Sequence, residues 1–302
     1  MKTTSPPANR DAFHPSSDLP FYTSFSALGG VYVVLIVAML AALFTHTSPG
    51  HVLSALDSRE VQYSMQLSLI SCTITTIAAL WVAVPIGYLM SRHGFRGKTL
   101  IDTVLDIPIV LPPLVIGLCL LILFSSPAAT AVDQGLAHAE RWLATLLQQV
   151  SAGRIAWTPK LRIEVTYEIP AVILAQFMVA AAFAVRTLRV TFDQIHPRCE
   201  QVALTLGCSA GQAFWLVVFP QARKGLLAAG TLAWARSLGE FGPILIFAGA
   251  TRMKTEVLPT TVFLEFTVGN IEGAVAASLI MVIAAMFVLV FARVLGLRRM
   301  PI

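Results

Sequence analysis

Six long apolar stretches limit the fold of this chain more than any other feature of its sequence. Each is close to or above the roughly 20 residues that a helix needs to cross the hydrocarbon core of a membrane. They occupy residues 28–44, 61–90, 105–124, 169–190, 226–248 and 273–295. Because backbone polar groups must be paired inside lipid, each stretch is expected to be helical. The sequence therefore predicts an all-α integral membrane protein, built as a six-helix polytopic bundle.

The amino-acid composition excludes the main alternatives to a membrane protein. Hydrophobic residues make up 56% of the chain and charged residues 12%, whereas about a quarter of the residues are charged in an average soluble domain. The net charge of +5 comes from basic residues spread between the apolar stretches, which argues against a nucleic-acid surface. The four cysteines show no CxxC spacing, so neither a disulfide framework nor a metal site is predicted.

The distribution of basic residues predicts the orientation of the chain. Thirteen Lys and Arg residues lie on the side that would hold both termini, and seven lie on the opposite side. The excess places both termini in the cytoplasm. We expect a flexible cytoplasmic tail at 1–27, a membrane domain at 28–302, a long external loop at 125–168 that carries an amphipathic helix, and a cytoplasmic segment at 191–225.

The cytoplasmic segment has the pattern of two short helices joined by a glycine turn. Small and apolar residues around Ala203 precede Gly207, and Pro220 ends or kinks the helix that follows. Gly207 is expected either to adopt a positive φ or to lie under a close partner surface. Such a helix-turn-helix suits the groove of a partner protein, although an ordinary amphipathic linker would share the pattern.

The spacing of this segment resembles the cytoplasmic motif E-A-A-x3-G-x9-I-x-L-P of ABC importer permeases. Here the motif begins at Gln201, continues through Ala203 and Gly207, and ends at Pro220. Gln201 stands where the motif has Glu, and Glu200 lies one residue earlier. The resemblance assigns Glu200, Gln201, Ala203, Gly207 and Pro220 to the coupling of this chain to an ATPase.

Two further stretches resemble permeases of the molybdate type. Residues 108–117 match P-x-x-x-P-P-x-x-x-G, with Pro112, Pro113 and Gly117 at the fixed positions. Residues 235–242 are similar to the A-R-A-x-G-E-F-G segment of those proteins. Because prolines interrupt a membrane helix, the first stretch suits a bending element that lines a pathway.

The second stretch carries two charges in the middle of an apolar span. Arg236 and Glu240 are four residues apart and therefore share one face of a helix. Each intramembrane charge costs about 2.5 to 3.5 kcal/mol on insertion scales, so both should face the bundle and find partners. We expect the two to pair and to shape a gate, and direct contact of Arg236 with an anion is the alternative.

The resemblance implies a permease of the type I ABC importer kind in a bacterial or archaeal plasma membrane. Its cargo would be an oxyanion of the molybdate, tungstate or sulfate class, and its partners a cytoplasmic ATP-binding subunit, an external anion-binding protein, a second permease copy and lipid, with no nucleic acid. No cofactor or metal is expected on this chain. ATP would be hydrolysed by the partner, because Gly97, Lys98 and Thr99 lack the earlier glycine of a P-loop.

Two other classes of protein compete with this interpretation. An ion-coupled secondary transporter predicts internal repeats and several carboxylates at mid-membrane depth, but only Glu240 lies well inside a span. A serine hydrolase is suggested by the G-x-S-x-G pattern at 207–211, which is centred on Ser209. That chemistry needs a strand before the serine and a converging His and acid, and the sequence predicts neither.

Overall fold

The structure is a computed structural model that describes residues 19–45, 49–126 and 165–297. These residues fall in two units, 1–48 and 49–302. The described part of the first unit is one helix, α1 (Leu19–Thr45), which begins inside the stretch expected to be a tail. The helix expected in the external loop lies outside the described residues and stays a prediction.

The regular structure described in the second unit is helical throughout. The helices are α2 (Pro49–Asp57), α3 (Arg59–Arg92), α4 (Lys98–Val110), α5 (Pro113–Ser125), α6 (Ile169–Gln194), α7 (Pro197–Thr205), α8 (Ala210–Ala213), a π-helical turn (Phe214–Val218), α9 (Phe219–Gln221), α10 (Arg223–Leu238), α11 (Gly242–Phe247), α12 (Leu258–Thr267) and α13 (Ile271–Leu297).

Within the described residues, four single helices are long and apolar enough to cross a membrane: α1, α3, α6 and α13. The other two predicted spans are each broken, the third as expected from its prolines and the fifth without a warning in the sequence analysis. The span at 105–124 consists of α4 and α5, which meet at an angle of 111°. Pro112 and Pro113 have no N–H to continue the α4 hydrogen bonds, so the helix ends there and restarts. The span at 226–248 is interrupted between α10 and α11 at residues 239–241.

The packing of α3 against α6 forms the centre of the second unit. Ala79 and Ala83 of α3 are fully buried in one cluster with Ala180 and Ala184 of α6. A Cβ on Gly87 would lie 3.1 Å from the backbone nitrogen of Arg189, so the two backbones are close there. Small residues at a helix interface allow this approach, as is common between membrane helices.

The two ends of the bundle are named here after the topology that the basic residues predict. The inner end holds the last turn of α3 and the first turn of α4, where Arg189 of α6 forms an ion pair with Asp102. The outer end holds the start of α6, where Glu168 forms an ion pair with Lys254.

Candidate functional site

The turn of the cytoplasmic segment is built on a glycine with a positive φ. Gly207 follows α7 with φ of +93°. The Cys208 N–H donates to the carbonyl of Ala203 at 3.1 Å, and the Gly207 N–H donates to that of Leu204 at 3.0 Å. These two bonds close the end of α7 as a Schellman motif, in which glycine is favoured because it has no Cβ. The positive φ expected from the sequence is confirmed.

Ser209 begins the next helix and does not form a nucleophile elbow. Its hydroxyl accepts from the Gln212 N–H at 3.3 Å, and its own N–H donates to Oε1 of Gln212 at 2.8 Å. This reciprocal pair is a capping box at the start of α8. A helix, not a strand, precedes Ser209, so the geometry that a serine hydrolase requires is missing at this site.

The second helix of the segment contains a π-helical turn just before its proline. The Phe219 N–H donates to the carbonyl of Phe214, five residues earlier. Pro220 has no N–H, and the regular pattern resumes where the Ala222 N–H donates to Val218 at 3.0 Å. Pro220 therefore lies where the helix changes its hydrogen-bond register, which agrees with the kink expected from the sequence.

The segment has one buried and one exposed face. Ala203, Ala213 and Val218 are buried against the bundle. Large apolar side chains point away from it, and Leu206 is the most exposed of them at 80%. We call these side chains the exposed apolar face: Val202, Leu204, Leu206, Trp215 and Leu216. An apolar surface of this kind beside a tight turn is typical of a protein contact.

Glu200 and Gln201, adjacent in sequence, lie on different faces of the segment. The Tyr88 hydroxyl donates to Oε1 of Glu200, and Nε of Arg92 donates to Oε2 at 3.2 Å. Both partners belong to the inner end of α3. Gln201, in contrast, is exposed. Glu200 is thus bound within the chain, and Gln201 is free to meet a partner.

The two motifs assigned to the pathway pack directly on each other. A Cβ on Gly117 of α5 would lie 2.8 Å from Cα of Pro243, at the start of α11. A Cβ on Gly242 would lie 2.9 Å from Cβ of Pro113 and 3.1 Å from the Leu114 nitrogen. Glycine is required at both positions because the opposing atoms are mostly backbone. Pro112 precedes α5 as its N-cap residue and is exposed.

Arg236 and Glu240 form the expected ion pair. Nη1 of Arg236 lies 2.9 Å from Oε2 of Glu240. Glu240 is 1% exposed, whereas the Arg236 side chain remains 29% exposed and its Cζ lies 5.9 Å from the centre of the Phe183 ring. The pair sits where α10 ends and α11 has not yet begun, so a charged contact occupies the break in this span.

A buried amide beside this pair was missed by the sequence reasoning. Gln176 of α6 is 1% exposed, and its Nε2 donates to the carbonyl of Ser237 at 3.3 Å. Its Oε1 accepts from the Thr75 hydroxyl at 3.2 Å. The signal in the sequence was a lone amide between apolar residues, which in a membrane helix indicates an interhelical hydrogen bond. Gln176 joins α3, α6 and α10 at one depth.

No group of three or more His, Cys, Asp or Glu side chains in residues 19–45, 49–126 and 165–297 is arranged to hold a metal ion.

Comparisons with known proteins agree with these features. The sequence profile described as "Binding-protein-dependent transport system inner membrane component" matches residues 83–300, more than half of the chain. The sulfate transport system permease protein CysW of Synechocystis sp. is 27% identical over 90% of this chain and 91% of its own. The molybdenum transport system permease protein ModB of Mycobacterium tuberculosis is 29% identical over 91% and 94%.

A solved structure has the same fold. It is a bacterial ABC transporter involved in the import of the acidic polysaccharide alginate, and the match has a TM-score of 0.68 over 94% of this chain and 97% of that chain. The identity is 13%, so the likeness concerns the fold, which is that of ABC importer membrane subunits.

Proposed function

We propose, because this chain belongs to the family of binding-protein-dependent transport system inner membrane components, that it forms the membrane pathway of an ATP-driven importer for an oxyanion. The cargo class is sulfate, molybdate or tungstate. Relatives named for the transport of sulfate and of molybdenum align with this chain over nine tenths of both lengths. The chain acts mechanically, by converting closure of a partner ATPase into alternate opening of its helices.

The single observation that carries this proposal is the geometry of the cytoplasmic segment. The Gly207 turn displays exposed apolar side chains, while buried alanines and Val218 fix the segment to the bundle. The buried face of the segment packs on the bundle, and the exposed apolar face is available to a partner. A partner that moves the segment can therefore also move the helices on which it packs. Gln201 lies on this exposed side and supplies the polar contact that the motif assigns to its first residue.

The break in the fifth span supplies the pathway. Pairing of Arg236 with Glu240 offsets part of the cost of placing two charges inside the membrane. It also leaves part of the guanidinium exposed beside Phe183. We infer that the pair shapes the gate between α10 and α11, and that the tight contact of α5 with α11 keeps this gate in position.

The proposed assembly contains partners for each task. An ATP-binding subunit docks on the exposed apolar face from the cytoplasm, an external protein delivers the anion to the outer end, and a second copy of this chain completes the pathway. ATP is bound and hydrolysed by the partner subunit.

The experiment that tests this function is uptake of radiolabelled sulfate and molybdate by proteoliposomes that contain this chain with its ATPase and binding protein. We expect uptake that requires ATP and the binding protein. Leu206→Glu should abolish uptake and release the ATPase, because it places a charge at the most exposed side chain of the exposed apolar face. Phe95→Glu, which adds the same charge to an exposed apolar residue in the turn between α3 and α4, is the matched control. Uptake that persists without ATP would point to a secondary transporter.

The orientation is tested by labelling single cysteines with a membrane-impermeant thiol reagent. Exposed positions suit this assay, so His93 and Gly211 should react only from the cytoplasm and Thr251 only from outside. Ser91 is unsuitable because its hydroxyl is buried. Labelling of Gly211 from outside would overturn the proposed docking of the ATPase.

A further inference from the structure

Helix α3 contacts functional elements at both of its ends. It has 34 residues and is therefore about 51 Å long at 1.5 Å per residue, which is more than the hydrocarbon core of a membrane. Side chains of its last turns form hydrogen bonds with the cytoplasmic segment, and side chains of its first turns form hydrogen bonds with the connection between α11 and α12. No other described helix has hydrogen bonds from its side chains to both of these elements.

The inner contact consists of Tyr88, Arg92 and Glu200. The carboxylate of Glu200 receives one hydrogen bond on each oxygen, from the Tyr88 hydroxyl and from Nε of Arg92. Bonds with a charged acceptor are about twice as strong as neutral ones. The Tyr88 ring also packs edge-on against Phe214 of the π turn, with ring centres 4.8 Å apart. Both halves of the cytoplasmic segment are therefore fixed to one turn of α3.

The outer contact joins α3 to residues 250–258, which we call the outer segment. The Leu258 N–H donates to the buried Ser68 hydroxyl at 2.8 Å. The Tyr63 hydroxyl donates to the carbonyl of Lys254 at 2.9 Å. The outer segment begins at residue 250, shortly after α11 ends at Phe247, and α11 is one of the two helices that flank the proposed gate.

We propose, on the basis of the proposed function, that Glu200 is a positioning residue that fastens the cytoplasmic segment to α3, so that α3 carries movement of that segment to the outer segment. In this arrangement Glu200 does not itself meet the ATPase, because its side chain is only 15% exposed and both of its oxygens accept hydrogen bonds inside the chain. Gln201 and the exposed apolar face bind the partner. Docking and transmission thus depend on adjacent residues that project from different faces of α7, about 100° apart.

This arrangement predicts that docking and transport can be separated by substitution. Loss of the inner contact leaves the exposed apolar face in place, so the ATPase still binds and still hydrolyses ATP. The cytoplasmic segment then moves without turning α3, and the outer end no longer responds. A residue that contacted the ATPase would instead affect binding first.

The test uses Glu200→Gln and Tyr88→Phe in the complete complex with its ATPase and binding protein. Three quantities are measured: the amount of ATPase that copurifies, the rate of ATP hydrolysis, and anion uptake per ATP hydrolysed. We expect copurification to stay at the wild-type level and uptake per ATP to fall about tenfold in each variant, a loss of coupling within the usual range. A fluorophore on Met253, which is exposed in the outer segment, should lose its response to ATP.

Asp193→Asn is the matched control, because it also converts a carboxylate to an amide at the inner end, but Asp193 pairs with Arg189 of its own helix, at 4.0 Å, and not with a residue of α3. It should keep the wild-type ratio of uptake to hydrolysis. Glu200→Asp should recover part of the ratio, since it keeps the charge.

Two outcomes would overturn this inference. A reduced amount of copurifying ATPase in Glu200→Gln would make Glu200 a docking residue, and an unchanged ratio in both variants would remove the inner contact from transmission. Tyr88→Phe keeps the aromatic ring, so it remains informative if Glu200→Gln fails to fold. Failure of the proposed function would be recognised separately, because the wild-type complex would then show no ATP-dependent uptake.

Discussion

Replacement of Gly117 by alanine should destabilise the protein through a single methyl group. The added Cβ would lie 2.8 Å from Cα and 2.9 Å from the carbonyl oxygen of Pro243, and 3.1 Å from Cβ of Ile246. Real Cβ atoms do not approach other heavy atoms so closely. Two of the three opposing atoms belong to the backbone, so no rotation of a side chain can relieve the contact, and α5 must move away from α11.

The expected size of the effect follows from the cost of overpacking a tight interface, which is about 1 to 3 kcal/mol. Opposing this is the preference of a helix interior for Ala over Gly, which is worth about 1 kcal/mol. Because two of the opposing atoms are backbone, the upper part of this range, about 2 to 3 kcal/mol, applies here, and the net loss in Gly117→Ala is therefore about 1 to 2 kcal/mol. It should appear as a lower melting temperature of the purified protein in detergent, and as reduced uptake, because α11 follows directly on the gate.

Gly230→Ala is the matched control in another membrane helix. Its Cβ would lie 3.3 Å from the end of the Leu80 side chain, which can turn aside, and 4.0 Å from Cγ2 of Thr76, which is an ordinary contact. Its melting temperature should equal or exceed that of the wild type. The double variant with Gly242→Ala should lose less than the sum of the single losses, because both methyl groups force the same two helices apart. An unchanged melting temperature in Gly117→Ala would refute the close contact of α5 with α11.

Three further predictions concern single positions. Gly207→Asp should abolish uptake and detach the ATPase while the bundle stays inserted, because a side chain at φ of +93° costs roughly 1 to 2 kcal/mol and reshapes the turn. Arg236→Gln and Glu240→Gln should each impair assembly, by up to about 3 to 5 kcal/mol for an uncompensated buried charge, and the double variant should recover part of the loss. Burial raises the pKa of Glu256 in the outer segment, so the folded state prefers its protonated form. Stability from this group is present below the ordinary Glu pKa and is lost as the pH rises through the raised value, and Glu256→Gln should therefore stabilise the protein more at pH 8 than at pH 5.

Each of these predictions has a measurement that can contradict it. For Gly207 it is copurification of the ATPase at wild-type stoichiometry in the Asp variant, with Gly211→Ala as the control that has open space and no positive φ. For the ion pair it is strictly additive losses across the cycle. For Glu256 it is an equal change in melting temperature at both pH values. That result would mean that the nearby charges of Arg252 and Glu265 do not leave the pKa of this carboxyl raised.

The sequence predicted the membrane class and the local turns, because both depend on residues that are close in the chain. The glycine turn at Gly207 and the Arg236–Glu240 pair follow from spacing on a helix, and both are present. The start of α1 at Leu19 was missed, because the predicted span was drawn from hydropathy and began only at Leu28. Pro20 was a usable signal, since proline favours the first turn of a helix.

Contacts between distant parts of the chain could not be predicted. Tyr88 and Glu200 are 112 residues apart, and the sequence around either residue does not indicate that the two are in contact. The bend of 111° was expected only as an interruption, because prolines end a helix without fixing the direction of the next one. That direction is set by the packing of α5 on α11, which depends on two glycines in different motifs.

The π turn at Phe214–Val218 makes the length of the cytoplasmic segment a constraint in its own right. A π turn holds one residue more than an α turn, and each helical residue turns the chain by about 100°. Deletion of one residue there would restore an ordinary helix, but it would also rotate Trp215 and Leu216 relative to α10 by that amount. Exchange of apolar side chains in this stretch should therefore be tolerated far better than the gain or loss of a residue, because the number of residues between Gly207 and Pro220 sets the direction in which Trp215 and Leu216 point.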